Sequence, residues 1–456
     1  MMKKIIFTAS IVLLTLNSAN VLAKVSEQEA AKLAGALTPV GAERAGNADG
    51  SIPEWTGGMT KPPVGYQGAG TTRLDPFADE KPLFTIDASN YQQYADKLSD
   101  GQKALFAKYP ETFNMPVYPT HRTAAAPKWV YDNTKTNALN AELKEGGNGV
   151  VNTFGGYPFP IPKNGSEAIW NHLLRWVGQG DYYDFRSDTV YPNGEKTNGG
   201  GVVWNSYPYF NPTKDANSYN GNIMQLLVQY DTPVRRKGEV IMLRDAVNAS
   251  ETARQAWQYI PGQRRVRRAP TIAFDTPNAQ FAGQSVYDEV WLYNGSPERY
   301  DWKLVGKKEM YVPYNNNGLI AAFETKNGKV DDIQTTHHLN PAYARYELHR
   351  VWVVESTLAE GKRHVYGKRT FYLDEDSWAA VLSDSYDGRG ELWRVGLANL
   401  LNAYDVPVTR IRSFYHVDIQ NDSYAVNLVD RVPLKIYEGE GDKFYTPAQV
   451  RKMSRR

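Results

Sequence analysis

The chain has 456 residues, with 52 basic and 50 acidic side chains, a formal net charge of +2 and no cysteine. Balanced charge gives no reason to expect attraction to nucleic acid, and the lack of cysteine excludes both disulfides and a lipidated cysteine at an export site. Aromatic residues make up 12% of the chain, with 30 Tyr and 11 Trp. Their apolar rings and polar tips suit sheets and ligand-lining surfaces.

The first 23 residues have the features of a secretory signal peptide. MMKK provides a basic start, IIFTASIVLLTL an apolar run, and Val21 and Ala23 occupy the small-residue positions of a cleavage site. The apolar run is too short to span about 30 Å of hydrocarbon. We therefore expect cleavage after Ala23, export to the periplasm without lipidation, and a mature chain of residues 24–456.

Residues 24–200 are predicted to form an irregular and helical portion that packs on a sheet. Ser26 and Glu29 have the spacing of a capping box before the helix-forming AAKLAGAL. Residues 39–85 are rich in proline and glycine, which is typical of an extended segment laid over the body of a protein. The FGGYPFPIP loop at 154–162 predicts either a lid over an apolar site or a packed surface loop.

One helix is predicted over residues 167–177, where Ser166 precedes the segment EAIWNHLLRWVG. Its apolar residues fall on one broad stripe, at Ile169, Trp170, Leu173, Leu174 and Val177. A helix with such a stripe is buried most simply against a face of a sheet. His172 lies away from the stripe and is expected at the surface.

From residue 201 to residue 456 the pattern predicts an antiparallel sheet. The strand candidates are 202–210, 222–230, 239–246, 254–260, 264–268, 286–293, 302–312, 318–324, 345–357, 363–373, 378–386, 391–400, 408–418 and 424–429. Short polar turns join many of them, which favours antiparallel neighbours. Strands do not alternate with helices, which disfavours a parallel sheet. We predict an α+β fold in which residues 24–456 form a single β-rich domain.

The stretch from Arg254 to Asp301 is the most informative part of the chain. Alternating residues around a Pro-Gly turn predict a hairpin over 254–268. The candidate strand 286–293 also carries large side chains on both faces. A sheet with one solvated face would alternate apolar and polar residues. The pattern therefore predicts one face for a core and the other for a ligand.

The hairpin also carries the densest charge of the chain, at Arg264, Arg265, Arg267 and Arg268. Alternation places Arg265 and Arg267 on one face of the strand. Two interpretations stay open. The arginines pair with cross-strand Asp and Glu, or they bind an anionic head group or an acidic partner, because guanidinium binds phosphate and carboxylate bidentately.

Motifs for catalysis, metal binding or cofactor binding are not found. The sequence contains no HExxH, no GxSxG, no P-loop and no dinucleotide fingerprint, and its seven histidines lack a metal-ligand spacing. The acidic run Asp374-Glu375-Asp376 predicts a solvated turn between two strands, with a carboxylate pair for glycoside hydrolysis as the alternative. We therefore predict no catalytic residue, no metal site and no cofactor.

Four segments resemble a family of exported bacterial proteins catalogued as domain of unknown function number 1329. They are ARQAWQYIPGQRRVRRAP, RYDWKLVGKKEMYVPYNNN, LHRVWVVESTLAEGKRHVYGKRTFYLDEDSW and YDGRGELWRV. The string from Trp257 to Arg267 is also similar to periplasmic lipoprotein carriers of the LolA/LolB kind. The resemblance implies an incomplete antiparallel barrel, strongly curved, with helices on its concave side closing an apolar cavity. It implies acyl-chain binding and no catalytic residue.

The preferred hypothesis is a periplasmic binding or carrier protein for a hydrophobic, lipid-like molecule. The helix over 167–177 would line or plug the groove. The residues expected to line it are Trp257, Tyr259, Tyr287, Trp291, Tyr293 and Trp352, with Arg265 and Arg267 for a polar head group. For each aromatic residue, ordinary core packing is the alternative. The resemblance implies envelope transport with an inner-membrane efflux-type transporter and an outer-membrane protein as partners.

Two other classes of function stay open. An exported hydrolase of lipid or glycan would bring two carboxylates, or a serine with His349, His364 or His416, into one cleft at hydrogen-bonding distance. A structural protein associated with the outer membrane would present an exposed apolar patch without a cavity.

Overall fold

A computed structural model describes residues 25–249, 251–269, 274–324, 330–429 and 432–454. The expected signal peptide lies outside these residues. The helices are α1 (Glu27–Ala31), α2 (Asp100–Lys108), α3 (Lys128–Asn140), α4 (Gly165–Leu173), α5 (Asn317–Glu324), α6 (Val330–Ile333) and α7 (Pro447–Met453). The described helices include none that is both long enough and apolar enough to cross a bilayer.

The strands of the described residues are, in chain order, β1 (Phe84–Ile86), β2 (Met115–Val117), β3 (Glu142–Leu143), β4 (Val150–Val151), β5 (Gly180–Val190), β6 (Lys196–Ser206), β7 (Asn222–Thr232), β8 (Val240–Ala246), β9 (Gln255–Ile260), β10 (Arg265–Arg268), β11 (Tyr300–Pro313), β12 (Tyr346–Leu358), β13 (Lys368–Asp374), β14 (Ala380–Tyr386), β15 (Leu392–Ala403), β16 (Val408–Asp418), β17 (Ser423–Val429) and β18 (Lys435–Tyr437).

All of these strands except β3 and β4 belong to one curved sheet. Its order is β1-β2-β12-β13-β14-β15-β16-β17-β5-β6-β7-β8-β9-β10, with β11 beside β12 and β18 beside β5. Neighbours are antiparallel apart from a single parallel contact between β2 and β12. Among the described strands the two ends of the sheet do not pair, so the sheet stays open. The predicted α+β fold, an incomplete antiparallel barrel with few helices, is confirmed.

Two predicted strands are wrong. Residues 286–293 contain a 3-10 turn at Tyr287–Glu289, and Trp291 and Leu292 have φ angles of 56° and 67°, which no strand contains. Residues 318–324 belong to α5. The apolar side chains of that segment are buried with helical spacing, at Leu319, Ile320 and Phe323.

The sheet also begins earlier than residue 201. Strand β5 starts at Gly180 and pairs with β6 along its whole length, from Gly180↔Ser206 to Val190↔Lys196. Strand β17 flanks β5 on its other side, so β5 is an interior strand. The expected division at residue 201 therefore lies inside β6.

The region β5–β10 carries packed side chains on both of its faces. Directly paired residues share a face, so the register defines an inner row of Tyr183, Val203, Val228, Ile241, Gln258 and Arg267. The outer row consists of Tyr182, Trp204, Leu227, Met242, Trp257 and Arg268. Helix α7 packs over the outer face through Val450 and neighbouring side chains. The inner face is covered by the segment 278–294, which we call the cover segment.

Candidate ligand groove

A cavity of about 100 Å³ lies between the inner face of β5–β8 and the cover segment. We call it the inner groove. The wall is formed by Tyr183, Phe185, Val203, Met224, Leu226, Val228, Tyr230, Ile241 and Leu243. The apolar side chains opposite the wall are Phe281, Tyr287, Val290, Trp291 and Phe414. Strand alternation produces this wall, because every second residue of a strand points to the same face. On the inner face, these positions are apolar at Tyr183 and Phe185 of β5, at Leu226, Val228 and Tyr230 of β7, and at Ile241 and Leu243 of β8.

The inner groove is small and mostly apolar. Five of its wall residues form an apolar cluster separate from the main core: Phe185, Val203, Val228, Tyr230 and Ile241. Leu226, Leu243 and Tyr183 pack against this cluster and remain half-buried. An apolar cavity of about 150 Å³ in another protein stays dry and accepts benzene. A space of about 100 Å³ therefore suits a short apolar group, and a longer chain requires the cover segment to move away from the sheet.

The cover segment is anchored firmly at one point. Asp288 accepts hydrogen bonds from Arg369 at 2.8 Å and from His364 at 3.1 Å, and Glu289 accepts one from Tyr366 at 2.5 Å. Burial alone would raise the pKa of Asp288, but the Arg369 guanidinium and His364 outweigh it and hold that pKa below its usual value. The anchor fixes where the segment meets the sheet.

Backbone strain follows directly after this anchor. Trp291 and Leu292 are consecutive residues with side chains in the left-handed region. Such a conformation costs on the order of 1–3 kcal/mol per residue and persists only where the surroundings impose it. The Trp291 side chain is half-buried and lines the inner groove. The strain therefore lies at the residue that closes one end of the cavity.

The rim of the inner face carries the predicted arginines. By register, Arg267 lies beside Gln258 and Arg265 beside Ile260, on the same face as the groove wall. Both arginines are exposed, and neither forms an ion pair with any residue that the structure describes. Gln258 donates a hydrogen bond to Glu239 at 2.7 Å. The interpretation as cross-strand ion pairs therefore has no support among the described residues.

The predicted aromatic residues divide between several places. Tyr287 and Trp291 line the inner groove. Trp257 and Tyr259 lie on the outer face, where they pack beneath α7. Tyr293 is buried in the main core and Trp352 stacks on Trp378 with ring centroids 6.0 Å apart, far along the sheet on β12. These last four side chains do not line the groove.

A second cavity of about 30 Å³ lies next to the inner groove. Met224, Trp291 and Asn294 line both spaces, so Trp291 stands between them. Arg175, just beyond the end of α4, lines the second cavity and donates a hydrogen bond from Nη1 to the carbonyl of His172 at 2.6 Å. We call this space the arginine cavity.

Helix α4 brings Arg175 into the interior. The Asn164 side chain caps the helix by accepting a hydrogen bond from the backbone of Glu167 at 2.9 Å, two residues earlier than the predicted Ser166 cap. The helix is buried almost all round, and the prediction that His172 is at the surface is wrong. Its ring contacts the carbonyl of Tyr293 at 3.0 Å, and burial lowers its pKa well below the usual value.

A larger cleft of about 570 Å³ opens on the outer face and is lined in part by Tyr182 and Trp204. Two of its four charged side chains, Arg73 and Asp405, pair with each other. Arg73 binds Asp405 through two hydrogen bonds of 2.6 and 3.0 Å, and Tyr66 donates another to the same carboxylate. The mostly apolar wall of the inner groove suits a hydrophobic ligand better than this partly charged cleft, so we favour the inner groove as the binding site.

The acidic run Asp374-Glu375-Asp376 is buried, so the predicted solvated turn is wrong. Asp376 accepts hydrogen bonds from Arg122 Nε and Nη2 at 2.8 and 2.7 Å, and Glu375 accepts one from Arg350 at 3.0 Å. Arg122 also donates to backbone carbonyls of residues 43–45, so the network ties the N-terminal segment to the sheet.

His349, Asp374 and Asp376 place one potential metal ligand each within 4.8 Å of one another. The Arg122 guanidinium already occupies both oxygens of Asp376. A metal ion at this position would have to displace that guanidinium. Burial and the neighbouring Asp376 raise the pKa of Asp374 to about 6.

A serine and a histidine approach one another at one buried position. Ser383 and His416 flank Gly396 on neighbouring strands. In the described part of the chain no hydrogen bond joins them, and neither lines a cavity. The observation that would favour a hydrolase, a serine and a histidine that share a cleft, is therefore missing from this position.

These features define a class of proteins with an open, curved antiparallel sheet and an apolar groove on its inner face. Within it, the chain belongs to the family described as protein of unknown function (DUF1329), whose model matches residues 85–451. It is 42% identical, over 98% of both chains, to an uncharacterized protein of Pseudomonas aeruginosa. The family resemblance seen in the sequence is confirmed.

Two of the solved structures that are similar to part of this chain are the following. A DUF1329 family protein from Desulfovibrio piger has 13% identity and a TM-score of 0.41, with 60% of this chain and 92% of that chain covered. A LolA superfamily protein from Nitrosomonas europaea has 12% identity and a TM-score of 0.36, with 62% and 98% covered.

Sequence reasoning missed Arg175 and much of the groove wall. Tyr183 and Phe185 lie on β5, which falls inside the portion predicted to be irregular and helical, so they were not among the predicted groove residues. Their alternation with Asp184 and Arg186 is a strand signal that was available in the sequence. Arg175 had no such signal, since its surroundings come from segments far away in the chain.

Proposed function

We propose that this protein binds a hydrophobic, lipid-like molecule in the inner groove and carries it through the periplasm. One observation supports the proposal above the others: β5–β8 present apolar side chains on two faces, and the inner one retains a cavity instead of being filled. A sheet that served only as a scaffold would be expected to fill such a space, because protein interiors are packed to crystal-like density.

Binding would be driven by removing apolar ligand surface from water. Each Å² so buried contributes about 25 cal/mol before the costs of association and of moving the cover segment. Tyr287 and Trp291 would contact the ligand directly. Arg265 and Arg267 would stand at the rim, where their positive charge attracts an anionic ligand before it enters.

The proposed location and partners follow from the first residues and from the family resemblance. We infer that the signal peptide is cleaved after Ala23 and that residues 24–456 act in the periplasm as one domain without a lipid anchor. N-terminal sequencing of the exported protein tests the cleavage site. A transfer chain between an inner-membrane efflux-type transporter and an outer-membrane protein would be the setting for such a carrier.

A titration with the apolar dye N-phenyl-1-naphthylamine tests the function. We expect saturable fluorescence enhancement with the wild-type protein and its loss in Val228→Trp. Val228 lies on the groove wall, and the larger indole would occupy the cavity rather than expand the core. Val266→Trp is the matched control, because Val266 lies on the outer face in register with Tyr259.

The expected result is full dye binding in Val266→Trp and at least a tenfold loss in Val228→Trp, with both variants folded by circular dichroism. Equal dye binding by the three proteins would place the apolar site elsewhere. No saturable binding by the wild-type protein would remove the proposal.

A further inference from the structure

Arg175 is a buried cation without an anionic partner. Its side chain belongs to a residue only 7% exposed, and it forms no ion pair with any carboxylate among the residues that the structure describes. Its Nε–H likewise has no hydrogen-bond acceptor there. A buried charge is normally paired, because its desolvation is otherwise uncompensated. Arg175 is therefore unsatisfied in the protein alone.

Proton loss does not resolve this imbalance. Burial and the nearby Arg410 guanidinium lower the pKa of Arg175 to about 10, so the side chain stays charged at neutral pH. Arg410, by contrast, already has a counter-ion. It forms an ion pair with Asp181 at 2.8 Å and a hydrogen bond with Tyr207 at 3.1 Å, so an anion bound by Arg175 is not needed to neutralise Arg410.

The unsatisfied cation faces a cavity that adjoins the inner groove. Arg175 lines the arginine cavity, and Trp291 lines both that cavity and the groove. The guanidinium carbon of Arg175 lies 5.8 Å from the centre of the Trp291 ring. The backbone of Trp291 has a positive φ angle, which costs free energy. A change of its conformation on ligand binding would release that free energy. A shift of its indole would join the two spaces into one.

The size of the arginine cavity selects among anions. A water molecule needs roughly 10–15 Å³ of such space, so about 30 Å³ has room for about two oxygen atoms. A carboxylate has two oxygens in a plane that matches the guanidinium fork, whereas a phosphate brings further oxygens. The surrounding side chains of Leu173, Val177 and Ile411 are apolar and suit the carbons next to a carboxylate.

We propose that Arg175 binds the carboxylate of an amphipathic carboxylic acid whose apolar chain lies in the inner groove. The inference rests on the proposed function and names its ligand class. The acid would enter with its charged end inward, so that Arg175 receives the missing counter-ion and the chain is covered by Trp291, Tyr287 and the groove wall.

Isothermal titration with palmitate, hexadecanol and hexadecyl phosphate, each below its aggregation concentration, tests the inference. The wild-type protein is expected to bind palmitate at least tenfold more tightly than the other two. Arg175→Met keeps an unbranched side chain and removes the charge. We expect it to weaken palmitate binding by about 10- to 100-fold, the usual effect of losing a charged hydrogen-bonded pair, and to leave hexadecanol within about twofold.

Arg268→Met is the matched control, because it removes an exposed cation on the outer face. It should bind palmitate as the wild type does. Equal affinities of the wild type for palmitate and hexadecanol, or unchanged palmitate binding in Arg175→Met, would overturn the inference while leaving the carrier function intact. Tighter binding of hexadecyl phosphate would overturn the choice of a carboxylate. Binding of none of the three would end the carrier function as well.

Arg175→Lys and thermal unfolding protect the test against misfolding. A lysine retains the charge and should keep part of the preference for the acid over the alcohol. In the wild type, palmitate should raise the melting temperature more than hexadecanol does at equal concentration, and that difference should disappear in Arg175→Met. A difference that persists in Arg175→Met would contradict the role of Arg175.

Discussion

Two regions of the same sheet treat buried charge differently. In the region β12–β17, which we call the paired region, two buried arginines meet buried carboxylates: Arg369 contacts Asp288 at 2.8 Å and Arg394 contacts Glu289 at 3.3 Å. Beside β5–β10, the groove region, Arg175 is equally buried and has no carboxylate within ion-pair distance among the described residues.

The two regions also differ in their packing. The paired region has large, fully buried side chains between its strands, such as Trp378 and Phe371. The groove region retains the inner groove and the arginine cavity next to Trp291. A charge that is paired within the protein indicates structure, whereas an unpaired charge beside an empty apolar space indicates a ligand.

The largest expected contrast lies between two substitutions of buried arginines. Arg369→Met leaves Asp288 buried without its main counter-ion and should lower the free energy of unfolding by about 3–5 kcal/mol. Arg175→Met removes a charge that has no partner and should change it by less than about 1 kcal/mol, or raise it. Urea unfolding at pH 7 measures both. If both substitutions lowered the free energy of unfolding equally, the two regions would not differ in how they stabilise buried arginines.

A buried carboxyl without a cation sharpens the comparison. Asp384 is fully buried in the paired region and accepts hydrogen bonds from Tyr372 at 2.9 Å and Ser99 at 3.1 Å. Burial raises its pKa from 3.8 to about 6. Asp384 can thus relieve its desolvation by taking up a proton in mild acid. Arg175 cannot lose its charge in the same way, because its pKa of about 10 keeps it protonated at physiological pH.

The raised pKa of Asp384 predicts a pH dependence. A pKa higher in the folded than in the unfolded state gives stability that is fully present below pH 3.8 and is lost as pH rises through 6. Relative to Asp384→Asn, the wild type should therefore lose on the order of 3 kcal/mol between pH 4 and pH 7. Urea unfolding of both proteins at several pH values measures this difference. A flat or opposite difference would contradict the assignment.

Two tryptophans on opposite faces of the groove region provide the next test. Trp257→Ala removes packing beneath α7 and should destabilise the protein by about 1–3 kcal/mol without changing dye affinity. Trp291→Ala should change dye affinity several-fold, because the indole lines the inner groove. Dye titration and thermal unfolding of both variants measure this. A loss of dye binding in the folded Trp257→Ala variant would place the ligand on the outer face.

The smallest effect is expected at the rim. Neutralising both arginines in Arg265→Gln/Arg267→Gln should slow palmitate association by about two- to threefold at low salt and leave dissociation unchanged. The difference should vanish at high salt, because exposed charges are screened. Stopped-flow fluorescence resolves these rates. A salt-independent change in dissociation would mean that the rim, and not Arg175, holds the head group.

Much of the fold was predictable because strand periodicity is a local signal. Strand β16 has the predicted bounds 408–418, and the predicted hairpin is formed by β9 and β10. The segment 286–293 failed because its large alternating residues imitate a strand. Its conformation is instead determined by Asp288 and Glu289, whose arginine partners lie some 80 and 105 residues further along the chain.

The site was predictable only in part, for a related reason. Which face of a strand carries Tyr287 or Trp257 depends on register and on what covers that face, and α7 lies at the far end of the chain. Arg175 follows an apolar helix and looks like a C-terminal capping residue, a role that it also fills through His172. The side chains that surround Arg175, among them Arg410 and Tyr207, come from distant parts of the chain. The sequence therefore could not show that no carboxylate pairs with Arg175.

Native mass spectrometry of the protein purified from the periplasm, beside Val228→Trp prepared in the same way, tests the central claim most directly. If the inner groove binds a ligand, we expect an added mass of a few hundred daltons on part of the wild-type protein. Organic solvent should release this mass, and Val228→Trp should lack it. A wild-type protein that carries nothing and takes up neither the dye nor palmitate, or an adduct equally abundant in Val228→Trp, would contradict this claim.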